Sequence, residues 1–171
     1  VLALVVALAG CQGGTGTTKA TGSTTSSGEP MKMLVRMFYH GEIDKTMAQG
    51  GIKVNIISSE MKPLLTKYRA RQHQMLMVYW GPDYMDPHTN ADGFANNLDN
   101  SDAATKGKPL AWRNSWDAPE VSAMTAAAVR ERDEGKRKQM YLDLQKKVMD
   151  EGPYIIMTQS TAQLAERANV K

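Results

Sequence analysis

In the first half of the chain, segments whose apolar residues have the spacing of a strand alternate with segments whose apolar residues have the spacing of a helix. This alternation constrains the fold more than any other feature. Apolar runs at 31–38 and 75–79 have the length of strands, and 52–56 alternates apolar with polar residues. A short helix fits 41–49, and 61–68 repeats its apolar residues at the spacing of an amphipathic helix. Strand, helix, strand, helix and strand in this order predict an α/β fold with a parallel or mixed sheet.

The second half is predicted to contain a long loop, two helices and a last strand. Helix-breaking residues are scattered through 81–117, which predicts irregular structure, and a loop of that length in a domain indicates function. Asp117 and Glu120 have the spacing of a capping box for one helix, and Asp133 is placed to cap the next. A Gly-Pro pair then ends the second helix before the final short strand.

The N-terminal segment is an apolar run that has the length of a signal-peptide core. Residues 1–10 (VLALVVALAG) carry no charge, and a membrane-spanning helix would need about 20 residues. Leu-Ala-Gly-Cys at 8–11 resembles the bacterial lipobox, in which the cysteine thiol receives lipid and the chain is cut just before it. We therefore predict a lipoprotein signal peptide at 1–11 with Cys11 as the lipidation site. The alternative is a buried N-terminal strand or helix that carries an inert Cys11.

Composition defines the next segment and excludes several classes of protein. Residues 12–28 are mostly Gly, Thr and Ser, which predicts a flexible tether in front of a folded part at 29–171. A single cysteine excludes an intrachain disulfide and a Cys-rich zinc site. The net charge of +3 comes from 21 basic and 18 acidic residues without a basic stripe, which argues against a nucleic-acid partner. His40 and His73 stand alone among polar residues and are predicted at the surface.

The segment that follows the third predicted strand carries the most specific motif. YWGPDYMDPHTNADGFA at 79–95 resembles the signature of the extracellular solute-binding proteins of family 5, the substrate-binding lipoproteins of ABC importers for peptides, oligopeptides and nickel. Four further stretches resemble the family in the same order, at 51–54, 116–120, 137–141 and 150–153. The resemblance covers most of 29–171 and corresponds to the C-terminal part of the family's second lobe only.

This resemblance implies a partial lobe of the type II periplasmic-binding-protein-like fold, with a mixed sheet flanked by helices and the first lobe absent. It implies a substrate-binding component that captures a peptide or a similar small solute and delivers it to ABC permease subunits. Such a protein is not an enzyme and needs no cofactor. It would be exported and lipid-anchored at the cell envelope, in the periplasm or at the outer face of the cytoplasmic membrane. Relatives with similar motifs also take nickel complexes, haem or opines.

The family motif also implies roles for three residues. In peptide-binding relatives the aspartate at the Asp83 position holds the α-ammonium of the ligand, and such a charge-assisted hydrogen bond would compensate a carboxylate in a closed cleft. Trp80 would form a rigid apolar wall, and Tyr84 a second wall with a hydroxyl group. From the residues alone, Asp83 also fits a turn after Pro82, and Trp80 also fits the core at the end of a strand.

Two other interpretations stay open at this stage. One is a truncated remnant that no longer binds a ligand or only makes interactions, because deep enclosure of a ligand needs two walls. The other is an exported metal-dependent hydrolase that uses Asp83, Asp86, His88 and Asp92. The spacing of these four residues matches no metal-binding loop, and Asp86 precedes a proline, which is typical of a turn. We therefore predict no metal site.

Overall fold

Five strands form one mixed sheet in the computed structural model, which describes residues 2–8, 31–36, 43–105 and 107–160. The strands are β1 (Leu2–Leu8), β2 (Met31–Arg36), β3 (Val54–Ser59), β4 (Met75–Trp80) and β5 (Tyr154–Ser160). The helices in these ranges are α1 (Ile43–Gln49), α2 (Met61–Arg69), α3 (Pro87–Ala95), α4 (Leu110–Arg113), α5 (Pro119–Ala128) and α6 (Glu134–Glu151). The order across the sheet is β3-β2-β4-β1-β5. None of these helices is long and apolar enough to cross a membrane.

The parallel half of the sheet is the part that the hydrophobic alternation predicts. Strand β2 pairs in parallel with β3 on one side and with β4 on the other, so that Met33 lies opposite both Ile56 and Met75. Helices α1 and α2 connect these strands, as expected for parallel pairs, which need a crossover. The predicted α/β class with a mixed sheet is therefore confirmed.

Strand β1 runs antiparallel to both of its neighbours, β4 and β5. Val5 lies opposite Val78 of β4 and Ile156 of β5, and the register with β5 shifts between Leu4 and Val5, which indicates a bulge. This strand is the segment predicted as the core of a signal peptide, and the structure gives it the strand form of the alternative interpretation. Cys11 and the 12–28 tether lie outside the described residues, so the boundaries at 1–11, 12–28 and 29–171 stay predictions.

Two clusters of buried side chains hold the helices on the sheet. The first joins β4 and β5 to α2 and α4, and its buried members are Leu64, Tyr68, Leu76, Val78, Leu110 and Tyr154. The second lies between α3, α5 and α6, and its buried members are Ala91, Ala95, Val121, Ala128, Tyr141 and Leu144. The small alanines of the second cluster let the three helices approach closely, whereas aromatic and branched side chains fill the first.

The prediction of irregular structure throughout 81–117 is wrong, because α3 and α4 lie within it. Asp86 is the N-cap of α3, and its side chain accepts a hydrogen bond of 2.8 Å from the backbone N–H of His88. Pro87 follows in the first turn, where a missing N–H costs nothing. The Asp-Pro pair that suggested a turn is thus a helix start.

The predicted helix caps have different outcomes. Asp133 caps α6, since its side chain accepts a hydrogen bond from the backbone N–H of Lys136. The capping box is wrong: α5 begins at Pro119 with Ala118 at the N-cap and no side-chain cap. Asp117 therefore lies one residue too early, and the Glu120 carboxylate instead lies 3.3 Å from the Lys147 ammonium.

Candidate functional site

The candidate site forms where β4 ends and the chain turns into α3. The backbone N–H of Asp83 donates to the Thr89 hydroxyl at 3.3 Å, and that of Asp86 donates to the Tyr84 carbonyl at 3.0 Å. The turn is therefore tied to the first turn of α3 at two points. This places the side chains that follow β4 at one end of the sheet, where ligands of open α/β sheets commonly bind.

All three residues that the sequence predicts as ligand-binding line one open cavity of about 490 Å³. Trp80, Asp83 and Tyr84 form one side of it. Helix α3 contributes Thr89, Asp92 and Gly93 to the lining. The segment after α3 contributes Asn96, Asn97, Leu98, Asp99 and Thr105, and the segment before α4 contributes Gly107, Lys108 and Pro109. We call this space the polar cavity.

Trp80 packs against the core and also lines the polar cavity, so its role as a wall for a ligand stays a prediction. Its ring meets Phe94 edge-on with 5.6 Å between centroids, and its indole N–H donates to Asn90 Oδ1 at 3.0 Å. A hydrogen bond at one end and an aromatic contact at the other hold the ring in one orientation. A fixed indole face of this kind can serve as a rigid apolar wall.

Asp83 and Tyr84 are the exposed members of the site. The Tyr84 side chain is 52% exposed, and within the described ranges no cation pairs with the Asp83 carboxylate. The Asp83 backbone is held by Thr89 while its carboxylate remains available to an external group. The turn that the sequence allows for Asp83 and the ligand role are thus compatible.

The lining of the polar cavity is rich in carboxylates. Asp92 accepts a hydrogen bond of 2.7 Å from the Asn96 amide, and Asp99 accepts one of 2.9 Å from the backbone N–H of Ser101. Hydrogen bonds from Ser101 lower the pKa of Asp99, which keeps that carboxyl ionised at neutral pH. Together with Asp83 these groups outnumber the single ammonium of Lys108 in the lining. The cavity therefore favours a ligand that presents a cation.

Arg71 holds the loop that forms the far side of the polar cavity. Its Nε donates to the Trp112 carbonyl at 2.7 Å, and its two terminal nitrogens donate to the Asn100 carbonyl at 3.0 Å and side chain at 2.7 Å. It also pairs with Asp102 at 2.9 Å and stacks 3.7 Å from the centroid of the Trp112 ring. Arg71 reaches these partners from a left-handed backbone conformation with φ of 57°. No sequence spacing predicts this, because the partners lie far along the chain.

A second cavity, of about 520 Å³, also has Trp80 in its lining and is mainly apolar. Helices α3 and α6 and strand β5 provide most of its lining, which includes Phe94, Leu144, Val148 and Ile156. We call this space the apolar cavity. The Trp80 ring is a wall of both cavities.

The four residues that suggested a metal-dependent hydrolase do not act as one cluster. The Asp86 carboxylate caps α3 and binds the Arg137 guanidinium at 2.8 and 3.0 Å. The hydrogen bond from Arg137 is the main reason why the pKa of Asp86 is lowered. In the part of the chain that the structure describes, no group of three His, Cys, Asp or Glu residues is arranged to hold a metal ion.

The prediction of a surface position for His73 is wrong, and His40 lies outside the described residues. His73 is half-buried, with its Nε2 at 3.1 Å from Asn114 Oδ1 and its ring edge-on to Tyr68 at 5.1 Å between centroids. The Asn114 amide in turn donates to the Tyr68 hydroxyl at 3.0 Å. Burial lowers the pKa of His73, and the hydrogen bond with Asn114 opposes that effect.

Sequence reasoning missed Asn96, Asp99 and Lys108 as lining residues, and it considered Asp92 only as part of a metal site. A usable signal existed, because an Asp-Pro pair is a common helix start, and a helix at 87–95 would have placed Asp92 and Asn96 one turn apart. Nothing in the sequence around Lys108 indicates that it lines the cavity. It does so because the segment 107–109 lies beside the cavity, directly before α4.

Solved structures show what the fold is similar to. The periplasmic binding protein DppA from Helicobacter pylori, in complex with the peptide STSA, matches 74% of this chain with a TM-score of 0.62 and 19% identity. The Escherichia coli murein tripeptide binding protein MppA matches 73% with a TM-score of 0.59 and 16% identity. NikZ from Campylobacter jejuni, in complex with Ni(L-His), matches 74% with a TM-score of 0.58 and 13% identity.

The matches cover only part of these longer proteins. The chain spans 24–25% of the length of all three. No protein-family model and no curated protein matches the sequence. The likeness predicted from the 79–95 motif is confirmed in three dimensions: the matched structures are a periplasmic binding protein with a bound peptide, a murein tripeptide binding protein, and NikZ with bound Ni(L-His). The chain has the fold of one part of a type II periplasmic-binding-protein-like lobe.

Proposed function

We propose that the chain is the ligand-binding part of the substrate-binding component of an ABC importer, and that its cargo is a peptide or a similar small solute with a free amine. The observation that carries the proposal is that Trp80, Asp83 and Tyr84 line the same cavity. The fold of DppA, MppA and NikZ supports a binding protein rather than an enzyme. Because the chain spans about a quarter of those proteins, import and its permease partner belong to the proposal.

In this proposal Asp83 provides the counter-charge for the ligand amine. Its carboxylate is unpaired among the described residues, and the other carboxylates of the lining add to the negative potential. Trp80 supplies a fixed apolar wall, held by Asn90 and Phe94, and Tyr84 supplies an exposed ring with a hydroxyl group. An ammonium near Asp83 and an apolar side chain against Trp80 would give a short peptide one orientation.

The polar cavity is open, so this chain alone should bind a peptide weakly. Water screens an exposed ion pair, which then contributes about 0–1 kcal/mol. We expect a titration with a short peptide to shift the indole N–H resonance of Trp80, and acetylation of the peptide amine to lower the affinity by no more than about fivefold. Asp83→Asn should have a comparable effect, and Asp150→Asn on the exposed face of α6 is the matched control.

A two-lobed binding protein that carries this segment provides the sharper test. There the second wall excludes water, so loss of one partner from the Asp83–ammonium pair should weaken binding by about 2–5 kcal/mol, or roughly 30-fold or more. Acetylating the peptide in the Asp83→Asn variant should add little, because the pair is already broken. Equal affinities of the parent and the Asp83→Asn variant, measured by calorimetry, would contradict the role of Asp83.

We also propose that the protein is exported and anchored through lipid on Cys11. The Leu-Ala-Gly-Cys sequence supports this, and periplasmic neighbours in the structure comparison support export. Labelled palmitate should enter the parent protein and not Cys11→Ser. Equal labelling of both would remove the anchor from the proposal.

A second candidate function is that of a remnant that makes interactions without capturing a solute. The apolar side chains exposed on β5 favour it, because Ile155, Ile156 and Met157 are 43–53% exposed in a strand at the sheet edge. Micromolar peptide binding by this chain that depends on Asp83 would exclude this candidate.

A further inference from the structure

Strand β1 separates β4 from β5, and these two strands do not pair with each other. Residues 3–8 of β1 lie opposite β4, and six residues of β1 also lie opposite β5. Without β1, the remaining strands would form a three-stranded sheet, β3-β2-β4, and a separate β5. The backbone groups of both inner edges would then lose their partners, which is unfavourable next to a buried core.

The composition of β1 suits a strand that is paired on both sides. It consists of Leu, Ala and Val only, and an uncharged apolar run of this kind is typical of a strand in the interior of a sheet.

Strand β1 does not pair with β2, the next strand along the chain. Leu8 of β1 and Met33 of β2 both lie opposite Met75, on the two sides of β4. The two strands are therefore about two strand spacings apart, or roughly 10 Å. The pairing partners of β1 are β4 and β5.

We propose that the space between β4 and β5 is a binding site for an extended apolar segment that runs antiparallel to both strands. In this chain its occupant is Leu2–Leu8, which pairs through its backbone with both strands. Once the chain between β1 and β2 is cut, the occupant should be able to exchange. The consequence concerns processing. A cut before Cys11 would convert β1 from a part of the chain into a separate peptide, and the stability of the sheet would then depend on whether that peptide stays bound.

A cut in the tether tests the site directly. The full chain with Cys11→Ser receives a recognition sequence for a site-specific protease in place of 22–27 and is cut after folding. We expect the N-terminal piece to co-elute with the remainder in native buffer and to separate in denaturant. Labelled synthetic peptide of residues 1–10, made soluble with added lysines, should exchange into the cut protein. Separate elution in native buffer with an unchanged unfolding midpoint would overturn the proposal.

A proline variant of the peptide distinguishes pairing from non-specific adhesion. Val5 pairs with both neighbours, and Val5→Pro removes its N–H while the peptide remains apolar. The Val5→Pro peptide should bind the cut protein at least tenfold more weakly than the parent peptide. Equal binding of the two peptides would show that the parent binds through hydrophobicity alone and would overturn the proposal.

Cysteine pairs test the register in the uncut chain. Val6 lies directly opposite Ile155, whose side chain is exposed, so Val6→Cys with Ile155→Cys in the Cys11→Ser background should form a disulfide under mild oxidation. Leu2→Cys with Ile155→Cys is the control, because these residues are displaced by four positions, or about 13 Å. Equal disulfide yields in the two variants would overturn the assigned register and with it the site.

Discussion

Asn114 connects the polar side chains buried within the core, and each of its amide atoms has a defined partner. Its Oδ1 faces His73 Nε2, and its Nδ2 donates to the Tyr68 hydroxyl and to the Leu110 carbonyl at 2.7 Å. The residue is 1% exposed, so an unpaired group here could not be compensated by water. Substitutions of its neighbours should therefore lower the stability of the fold in some cases and leave it unchanged or raise it in others.

His73 should make the stability of the fold depend on pH. Burial lowers its pKa below the ordinary value of about 6.5 that it regains on unfolding. As the pH falls through that value, the unfolded state takes up a proton that the folded state resists, so the stability present above pH 7 decreases. Urea unfolding between about pH 7.5 and 5 should show this decrease, and His73→Gln should reduce it. An imidazole that titrates above 6.5 by NMR would contradict the prediction.

Two tyrosines in the same cluster should respond oppositely to the loss of their hydroxyl groups. Burial raises the pKa of Tyr68 to about 12 and that of Tyr154 well above its ordinary range. Tyr68→Phe leaves an Asn114 N–H without its acceptor and should cost about 1–3 kcal/mol. The Tyr154 hydroxyl is buried near Asn114 but makes no hydrogen bond of good geometry among the described residues, because the Asn114 amide donates to Tyr68 and Leu110, so Tyr154→Phe should be neutral or stabilising. Chemical denaturation of both variants measures the difference, and a larger loss for Tyr154→Phe would contradict it.

At the scale of single residues, the sequence predicted candidate site residues that lie close together along the chain. Trp80, Asp83 and Tyr84 lie within five residues of one another at the end of β4, and all three line the polar cavity, while their ligand-binding roles stay a prediction. Arg71 and Asn114 could not be found in this way. Their contacts join residues about 30 to 46 positions apart, and only the folded chain brings those together.

The first turn of α3 is joined to α6 by a contact that also caps the helix. Asp86 accepts from the backbone of His88 and binds Arg137, and the hydrogen bond from Arg137 lowers the pKa of Asp86. The two effects can be separated by substitution. Asp86→Asn keeps a good N-cap residue and loses the ion pair, whereas Asp86→Ala loses both.

We expect thermal unfolding to rank these variants in order of what each removes. The parent should be the most stable, Asp86→Asn and Arg137→Met should be similar to each other, and Asp86→Ala should be the least stable. Salt should narrow the difference between the parent and Asp86→Asn, because the pair is partly exposed. Equal midpoints for Asp86→Ala and Asp86→Asn would show that the cap contributes nothing.

Gly135 in the first turn of α6 and Gly152 at its C-cap should respond in opposite directions to substitution by alanine. A Cβ at Gly152 would collide with the Val148 carbonyl at the end of the helix, so Gly152→Ala should cost about 1–3 kcal/mol. Gly135 lies in the first turn, where the nearest atom to a Cβ would be 3.4 Å away. Gly135→Ala should therefore stabilise the protein by up to about 1 kcal/mol. The urea midpoints of the two variants test this, and a Gly152→Ala variant with the midpoint of the parent would contradict the prediction.

The spacing of apolar residues along the chain predicted those helices that bury residues at regular intervals. Helix α2 buries Leu64 and Tyr68 as its spacing indicates, and α6 buries Tyr141 and Leu144. Helix α3 was missed because it is composed of Pro, Asn, Asp and Gly among small residues, which are poor helix formers. Its N-cap and its packing against α5 and α6 outweigh that low propensity.

At the scale of the whole molecule, several large apolar side chains are exposed on the surface. Met85 is 93% exposed and Leu98 is 84% exposed, both near the polar cavity, and Met149 of α6 lies beside exposed residues of β5. The proteins with the same fold are about four times as long as the matched region. Exposed apolar side chains that lie together on a surface commonly mark a site of interaction.

We expect the native chain to bind a hydrophobic dye, and to be less stable than a typical domain of its length, with a melting point below about 65 °C. The double variant Ile155→Thr and Met157→Thr should lower the dye signal without lowering the melting point, because both side chains are half-exposed. A sharp melt above that temperature in a chain that binds no dye would contradict the prediction.

The topology of the sheet was predicted in part. The parallel order of β2, β3 and β4 follows from the alternation of strands and helices. The position of β1 could not be predicted, because an apolar run of seven residues has the same composition as a signal-peptide core and as a buried strand. Only the pairing with β4 and β5 distinguishes the two.

Trp80 also gives the molecule an optical property. Trp80 lines both the polar and the apolar cavity, so an occupant of either one replaces water near the same indole. The fluorescence of Trp80 should move to shorter wavelength when a cavity fills. The other two tryptophans line neither cavity: Trp112 is 3% exposed and stacked on Arg71, and Trp116 meets Tyr154 edge-on. The intrinsic emission of the unlabelled chain can therefore report occupancy, and the Asp83→Asn variant can show which cavity has been filled.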